Sequence, residues 1–282
     1  MPAPLLYESH LHTPLCNHSI GEPEEYAAEA ERKNLRGIIV TCHNPIPNGY
    51  SAHVRMRENQ FNEYIAMVAR ARDAWSGRVD IRLGLECDFA PGLESDVAIL
   101  LKRAEFHYIL GSIHTQVMEY RARFHTGSFF DYQQTYFKHL AMAAETGLFD
   151  TLAHPDLVKN EAPSEWNLTR IFSDIQRALD RIAATGTAME LNTSGLHKAI
   201  PEMNPGPEIL AEMRLRNIPV VLGADAHIPR RVGADYPLAL RLLQSAGYEH
   251  VSFFLDRQRQ DILITDALAS LETAPDVAQK AD

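Results

Sequence analysis

Short apolar runs alternate with long amphipathic stretches along most of this chain. "PLLYES" is followed by a helical pattern that begins near Glu22 with an acidic first turn. "GIIV" (Gly37–Val40) leads to helix-like spacing over Glu58–Ala74, and "DIRLGL" (Asp80–Leu85) to Val97–Arg103. "YILGS" (Tyr108–Ser112) precedes the pattern Tyr132–Glu145, and "DTLAH" (Asp150–His154) precedes Leu168–Ala184. "TAMELN" (Thr187–Asn192) is followed by Pro207–Arg216, "PVVLGAD" (Pro219–Asp225) is the seventh run, and "HVSFFL" (His250–Leu255) stands near the end. Strands that alternate with helices predict parallel pairing, because a parallel neighbour needs a crossover. No Pro/Gly/Ser-rich break divides the pattern, so residues 1–270 read as one domain. Residues 271–282 lack apolar periodicity and read as a disordered tail.

Seven such units can build an open doubly wound sheet or a closed barrel. The unusual polar residues choose between them. His10 and His12 follow the first run, His43 the second in "VTCHNP", and Glu86 ends the third in "GLECDF". His114 follows the fourth in "LGSIHT", His154 ends the fifth, and Asp225 and His227 follow the seventh in "GADAH". A doubly wound sheet gathers its chemistry beside one switch point. Here nearly every strand end carries some, which is the address of catalytic groups on a barrel rim. The expected fold is therefore a distorted (β/α)7 TIM-like barrel with its site at the C-terminal ends of the strands.

Composition narrows the chemistry. The 282 residues are 45% hydrophobic and 23% charged, ordinary for a globular protein with a full core. A formal net charge of −10 argues against a nucleic-acid or anionic-membrane surface and suits cation binding. No run of 18 apolar residues predicts a membrane span, and "MPAPLLYESH" has no signal-peptide pattern. Cys16, Cys42 and Cys87 show no CxxC spacing, so a reducing cytoplasm is the expected compartment.

The rim residues are imidazoles and carboxylates, a donor set that suits Zn, Mn or Fe. His10–x–His12 and Asp225–x–His227 have the i, i+2 spacing that sends both side chains to one side of a strand. With His18, His43, His114 and His154 they make seven histidines, joined by Glu86 and Asp225. That is too many donors for one ion with an open position and fits two or three, Glu86 bridging through its two oxygens. His53, His107, His125, His139 and His250 do not share the rim address and read as surface or packing residues.

The ordered set "HLHTPLCNH", "TCHNPIP", "GLECDF", "GSIHT", "AHPDLVK", "ELNTSGL" and "LGADAH", spread over residues 5–255, resembles the PHP (polymerase and histidinol phosphatase) family, closest to its histidinol-phosphatase branch. The resemblance implies three divalent ions. His10, His12, Glu86 and Asp225 would hold one; Glu86, His114 and His154 a second; His18, His43 and His227 the third. It also implies hydrolysis of a small phosphorylated substrate, with L-histidinol phosphate expected. A metal-bridging hydroxide would attack phosphorus, Asp225 helping to protonate the leaving group. Other phosphomonoesters or diesters stay open, as does an amidohydrolase-like C–N hydrolase, which normally has eight strands and a modified lysine.

Candidate substrate contacts are Arg55, whose fork suits phosphate, with Asn192, Lys159 and His197. Three positions depart from the family pattern. Cys42 stands where an Asp usually precedes the histidine, and His197 replaces an Arg. The segment after His114, "TQVMEYRARFHTGSFF", lacks a familiar Trp- and Asp-bearing loop.

Overall fold

The computed structural model describes residues 3–272. Its first seven strands are β1 (Tyr7–Leu11), β2 (Gly37–Val40), β3 (Asp80–Asp88), β4 (Tyr108–Ser112), β5 (Thr151–Leu152), β6 (Ala188–Asn192) and β7 (Val220–Gly223). Each pairs in parallel with its sequence neighbour, and β8 (His250–Leu255) pairs in parallel with β7. β9 (Gln258–Leu263) then returns antiparallel along β8. The crossovers are α1 (Pro23–Arg32), α2 (Phe61–Ala74), α3 (Glu94–Leu100), the pair α4 (Met118–Phe124) and α5 (Phe129–Glu145), α6 (Leu168–Thr185), α7 (Pro207–Leu215) and α8 (Tyr236–Ser245). α9 (Ile264–Leu271) follows the hairpin. The expected tail lies outside the described residues except for Leu271 and Glu272, which end and cap α9.

The fold is the expected distorted barrel. No ladder joins β1 to β7 among the described residues, but their C-terminal ends meet: His12 N–H donates to Ala226 O (3.0 Å) and Ala226 N–H to His10 O (2.9 Å). The buried Glu8 carboxylate spans the same seam, accepting from the N–H groups of Ala224 (3.0 Å) and Gly233 (2.7 Å).

Strand periodicity sorts the interior into layers. Tyr7, Ile39, Tyr108, Leu110, Ala188 and Val221 form an apolar floor closed from below by Phe253 and Phe254 of β8. Tyr7 stacks on Phe253 with ring centroids 4.9 Å apart, and Tyr108 on Phe254 at 5.6 Å. Past the floor inward positions turn polar, at Thr41, Ser112 and Glu190, and beyond them lies the rim. Gly223 belongs to the middle layer for a steric reason. A Cβ there would sit 1.9 Å from Glu190 Oε1, so only glycine lets that carboxylate occupy the barrel axis.

Candidate metal centre

Register explains how β1 delivers two ligands. Tyr7 pairs with Gly37 and Glu8 with Ile38, but Leu11 pairs with Val40, so β1 carries one extra residue. Such a bulge shifts the inward parity. Tyr7 faces the floor, yet His10 and His12 face the rim. On the other strands regular alternation brings in His43, Glu86, His114 and Asp225. His154 is held after β5 with φ +28°, its N–H donating to Glu190 Oε2 (2.8 Å).

All nine expected ligands come together, with Glu86 at the centre and fully buried. Its Oε1 lies 3.4 Å from His114 Nε2 and 3.3 Å from His154 Nε2. Its Oε2 lies 3.5 Å from His10 Nε2, 3.7 Å from His12 Nε2 and 2.8 Å from His43 Nδ1. Asp225 Oδ1 faces His12 Nε2 (3.2 Å) and His10 Nε2 (3.5 Å). His18 and His227 point their Nε2 atoms at each other across 2.9 Å.

The back nitrogens fix how these rings present themselves. His18 Nδ1 lies 2.7 Å from Cys16 O, and His227 Nδ1 lies 3.0 Å from Asp225 O. A carbonyl only accepts, so each Nδ1 carries the proton and each Nε2 a bare lone pair. Two lone pairs facing at that distance repel unless a cation lies between or beside them. His10 Nδ1 is likewise 2.7 Å from Glu190 Oε1, and His114 Nδ1 is 2.9 Å from Asp88 Oδ1. Carboxylates behind ligand imidazoles are the usual means of aiming them at metal.

Electrostatics point the same way. Burial alone would raise Glu86, but His43, His10 and His114 hold it well below the usual carboxylate range. Asp225 is held low against burial by His10 and His12. Burial and the neighbouring His12 take His227 down to about 2. Burial also lowers His43, to about 4 despite Glu86, so both rings are neutral at neutral pH. His12 moves the other way, to about 9, because Asp225 and Glu86 outweigh its burial. The cluster draws positive charge, and metal ions fit that demand. His10 Nε2 and His154 Nδ1 are also buried with no hydrogen-bond partner among the described residues. Such groups cost about 1–3 kcal/mol each when left unsatisfied.

The ligands open onto a cavity of about 360 Å³ whose other walls include His53, Val54, Gln116, Val117, Leu157 and Lys198. That volume suits a small ligand. The expected substrate contacts are placed differently from the reading by sequence. Arg55 borders the cavity, but it is buried and not a free phosphate fork. It donates to Asp88 Oδ2 (2.6 Å), Asn44 O (2.9 Å) and Ser51 Oγ (2.6 Å), because the buried Asp88 carboxylate requires a counter-charge. Lys159 is buried between Asp156 (2.7 Å) and Glu202 (2.8 Å). Asn192 holds its own turn, accepting from Ser194 N–H (2.9 Å) and donating to Glu190 Oε2 (2.9 Å). His197 is 61% exposed and faces Asp235. None of these three lines the cavity.

Lys198, which sequence reading passed over, does line it, with Nζ 3.8 Å from Asp225 Oδ2. Glu190 and Asp88 were also missed. Their signal was a carboxylate at an inward position of an otherwise apolar strand, in "AMELN" and "GLECDF".

A parallel barrel whose rim carries seven imidazoles and two carboxylates defines a metal-dependent hydrolase. Comparison with known proteins makes this specific. A model of the PHP domain matches residues 8–194. A Deinococcus radiodurans protein named "Probable histidinol-phosphatase" is 37% identical over 258 residues, covering 88% of this chain and 96% of its own. The histidinol-phosphatase of Bacillus subtilis is 24% identical, covering 81% of this chain and 96% of its own. The histidinol phosphate phosphatase of Lactococcus lactis, solved in complex with zinc, L-histidinol and phosphate, superposes with a TM-score of 0.75 at 17% identity. That match covers 90% of this chain and 98% of the other and shows the shared fold. The chain belongs to the PHP-domain family. It is a metal-dependent hydrolase of phosphate esters, of the histidinol-phosphatase kind.

Proposed function

We propose that this protein hydrolyses L-histidinol phosphate to L-histidinol and phosphate, using three divalent ions drawn from Zn, Mn and Fe. The observation that carries the reading is Glu86, whose two oxygens face two different sets of imidazoles beneath a cavity of ligand size. In this reading His10, His12, Glu86 and Asp225 hold one ion; Glu86, His114 and His154 a second; His18, His43 and His227 the third. Such ions would supply Lewis acidity and acidify the water needed for hydrolysis.

The chain's own groups do the rest. Lys198 meets the phosphoryl charge in place of Arg55, whose donors are committed to Asp88, Asn44 and Ser51. Asp225, held as a carboxylate and open to the cavity, takes a proton from the attacking water and passes it to the departing alkoxide. Val54, Val117 and Leu157 exclude water from the organic part of the substrate, and Gln116 and His53 offer it polar contacts. Among the described residues no helix is long and apolar enough to cross a membrane, and the three thiols are unpaired. The unpaired thiols support a reducing, cytoplasmic setting.

The test is phosphate release from metal-reconstituted protein offered histidinol phosphate, nucleoside monophosphates, sugar phosphates and a chromogenic diester. Histidinol phosphate should give the highest kcat/KM by a wide margin. Preference for another ester would replace the substrate, and failure on every ester would overturn the phosphatase reading.

A further inference from the structure

His12 has a second face that the rim centre does not use. Its Nε2 looks at Asp225 (3.2 Å), while its Nδ1 is fully buried and has no hydrogen-bond partner among the described residues. Two thiols share this neighbourhood. A His12 ring nitrogen and the Sγ atoms of Cys16 and Cys42 all lie within 4.8 Å of one another, and all three residues are 0% exposed. Neither cysteine is in a disulfide.

Local structure explains the meeting. Past β2 the residues on either side of Cys42, Thr41 and His43, belong to the inward set, so Cys42 faces out of the barrel against the turn that follows β1. That turn is a short 3₁₀ segment, Pro14–Cys16, ended by Asn17 in the left-handed region (φ 67°), and it carries the Cys16 thiol beneath His12. Thr13 Oγ1 donates to Cys42 Sγ at 3.2 Å, and Cys42 Sγ donates to Thr13 O at 3.7 Å. The third thiol, Cys87, lies on β3 and is not part of this group.

One imidazole nitrogen and two sulfurs form a soft donor set, unlike the nitrogen and oxygen donors of the rim. We propose that His12 Nδ1, Cys16 Sγ and Cys42 Sγ form a separate site for a soft, thiophilic d10 cation. An ion there replaces the proton on His12 Nδ1 and the two thiol protons, so His12 bridges it to the rim centre.

Cadmium(II) is the probe. Reduced, metal-loaded protein titrated with cadmium should develop ultraviolet thiolate-to-cadmium charge-transfer absorbance that saturates at one equivalent. Cys16→Ser and Cys42→Ser should each remove most of the band, while Cys87→Ser keeps it. Cadmium that exchanges into the rim meets no sulfur, so the signal separates the two sites. X-ray absorption of the unsubstituted protein at one equivalent should read two sulfur neighbours, whether or not the variants fold. A shell of nitrogen and oxygen only, or a band that survives in the Cys16→Ser/Cys42→Ser double variant, overturns the proposal. Neither result touches the phosphatase reading, because the band reports sulfur alone.

Discussion

Glu190 is outside the proposed ligand set, yet it decides how two ligands are held. One oxygen takes the His10 Nδ1 proton at 2.7 Å, and the other accepts from the His154 N–H and the Asn192 amide. Glu190→Gln puts an NH2 group where only donors point, so either His10 or His154 loses its acceptor. Metal affinity should fall about 10–100-fold, measured by competition with a chelator, with unfolding curves confirming the fold. Glu86→Ala is the sharper change and should lower bound metal and abolish turnover together; full activity in that variant would remove its bridging role. The nine proposed ligands were legible in the sequence because coordination chemistry restricts side-chain type and strand ends restrict position. Glu190, Asp88 and Lys198 were not, since supporting roles accept many residue types.

Among the elements, α5 carries a test that is independent of the rim. Its His139 is buried, with Nδ1 hydrogen-bonded to Tyr120 Oη at 2.7 Å. Burial, with Lys138 and Arg123 nearby, lowers its pKa from 6.5 to about 4. The folded protein therefore keeps the ring neutral where the unfolded chain would protonate it. This contribution to stability is complete above pH 6.5 and is lost as pH falls from there toward 4, on the order of 3 kcal/mol. Compared with the unsubstituted protein, His139→Gln should flatten that part of the stability profile; parallel slopes would show that His139 carries no such linkage. Elements with strong periodicity were readable, as α6 was. β9 was not, because "QRQDIL" is an exposed edge strand with no apolar alternation. α4 was missed because seven residues give too few turns to show a period. The bulge in β1 was also invisible, being a matter of pairing between strands.

At the scale of the molecule, chemistry and stability occupy opposite ends of the barrel. The rim is lined with polar ligands that cannot pack as hydrocarbon, so cohesion inside the strands depends on the floor and its plug from β8. Phe253→Ala removes a buried ring stacked on Tyr7 and should cost about 3–5 kcal/mol of unfolding free energy. Metal bound per folded chain should stay the same. A loss of metal larger than the loss of folded protein would mean that floor and rim are coupled.

By itself the sequence determined the βα order, the barrel class and the address of the ligands, because each rests on periodicity or on side-chain chemistry local to a strand end. Tertiary structure alone decided which charges are free. Arg55 and Lys159 look like phosphate contacts until Asp88 and Glu202 arrive from distant stretches, with Asp156 three residues before Lys159, to neutralise them. Lys198 keeps its place at the cavity, and His12 finds two thiols behind it. A side chain's type is written in the chain, but its partner is set by which segments the fold brings within a few ångströms, and a buried charge must take the partner it finds there.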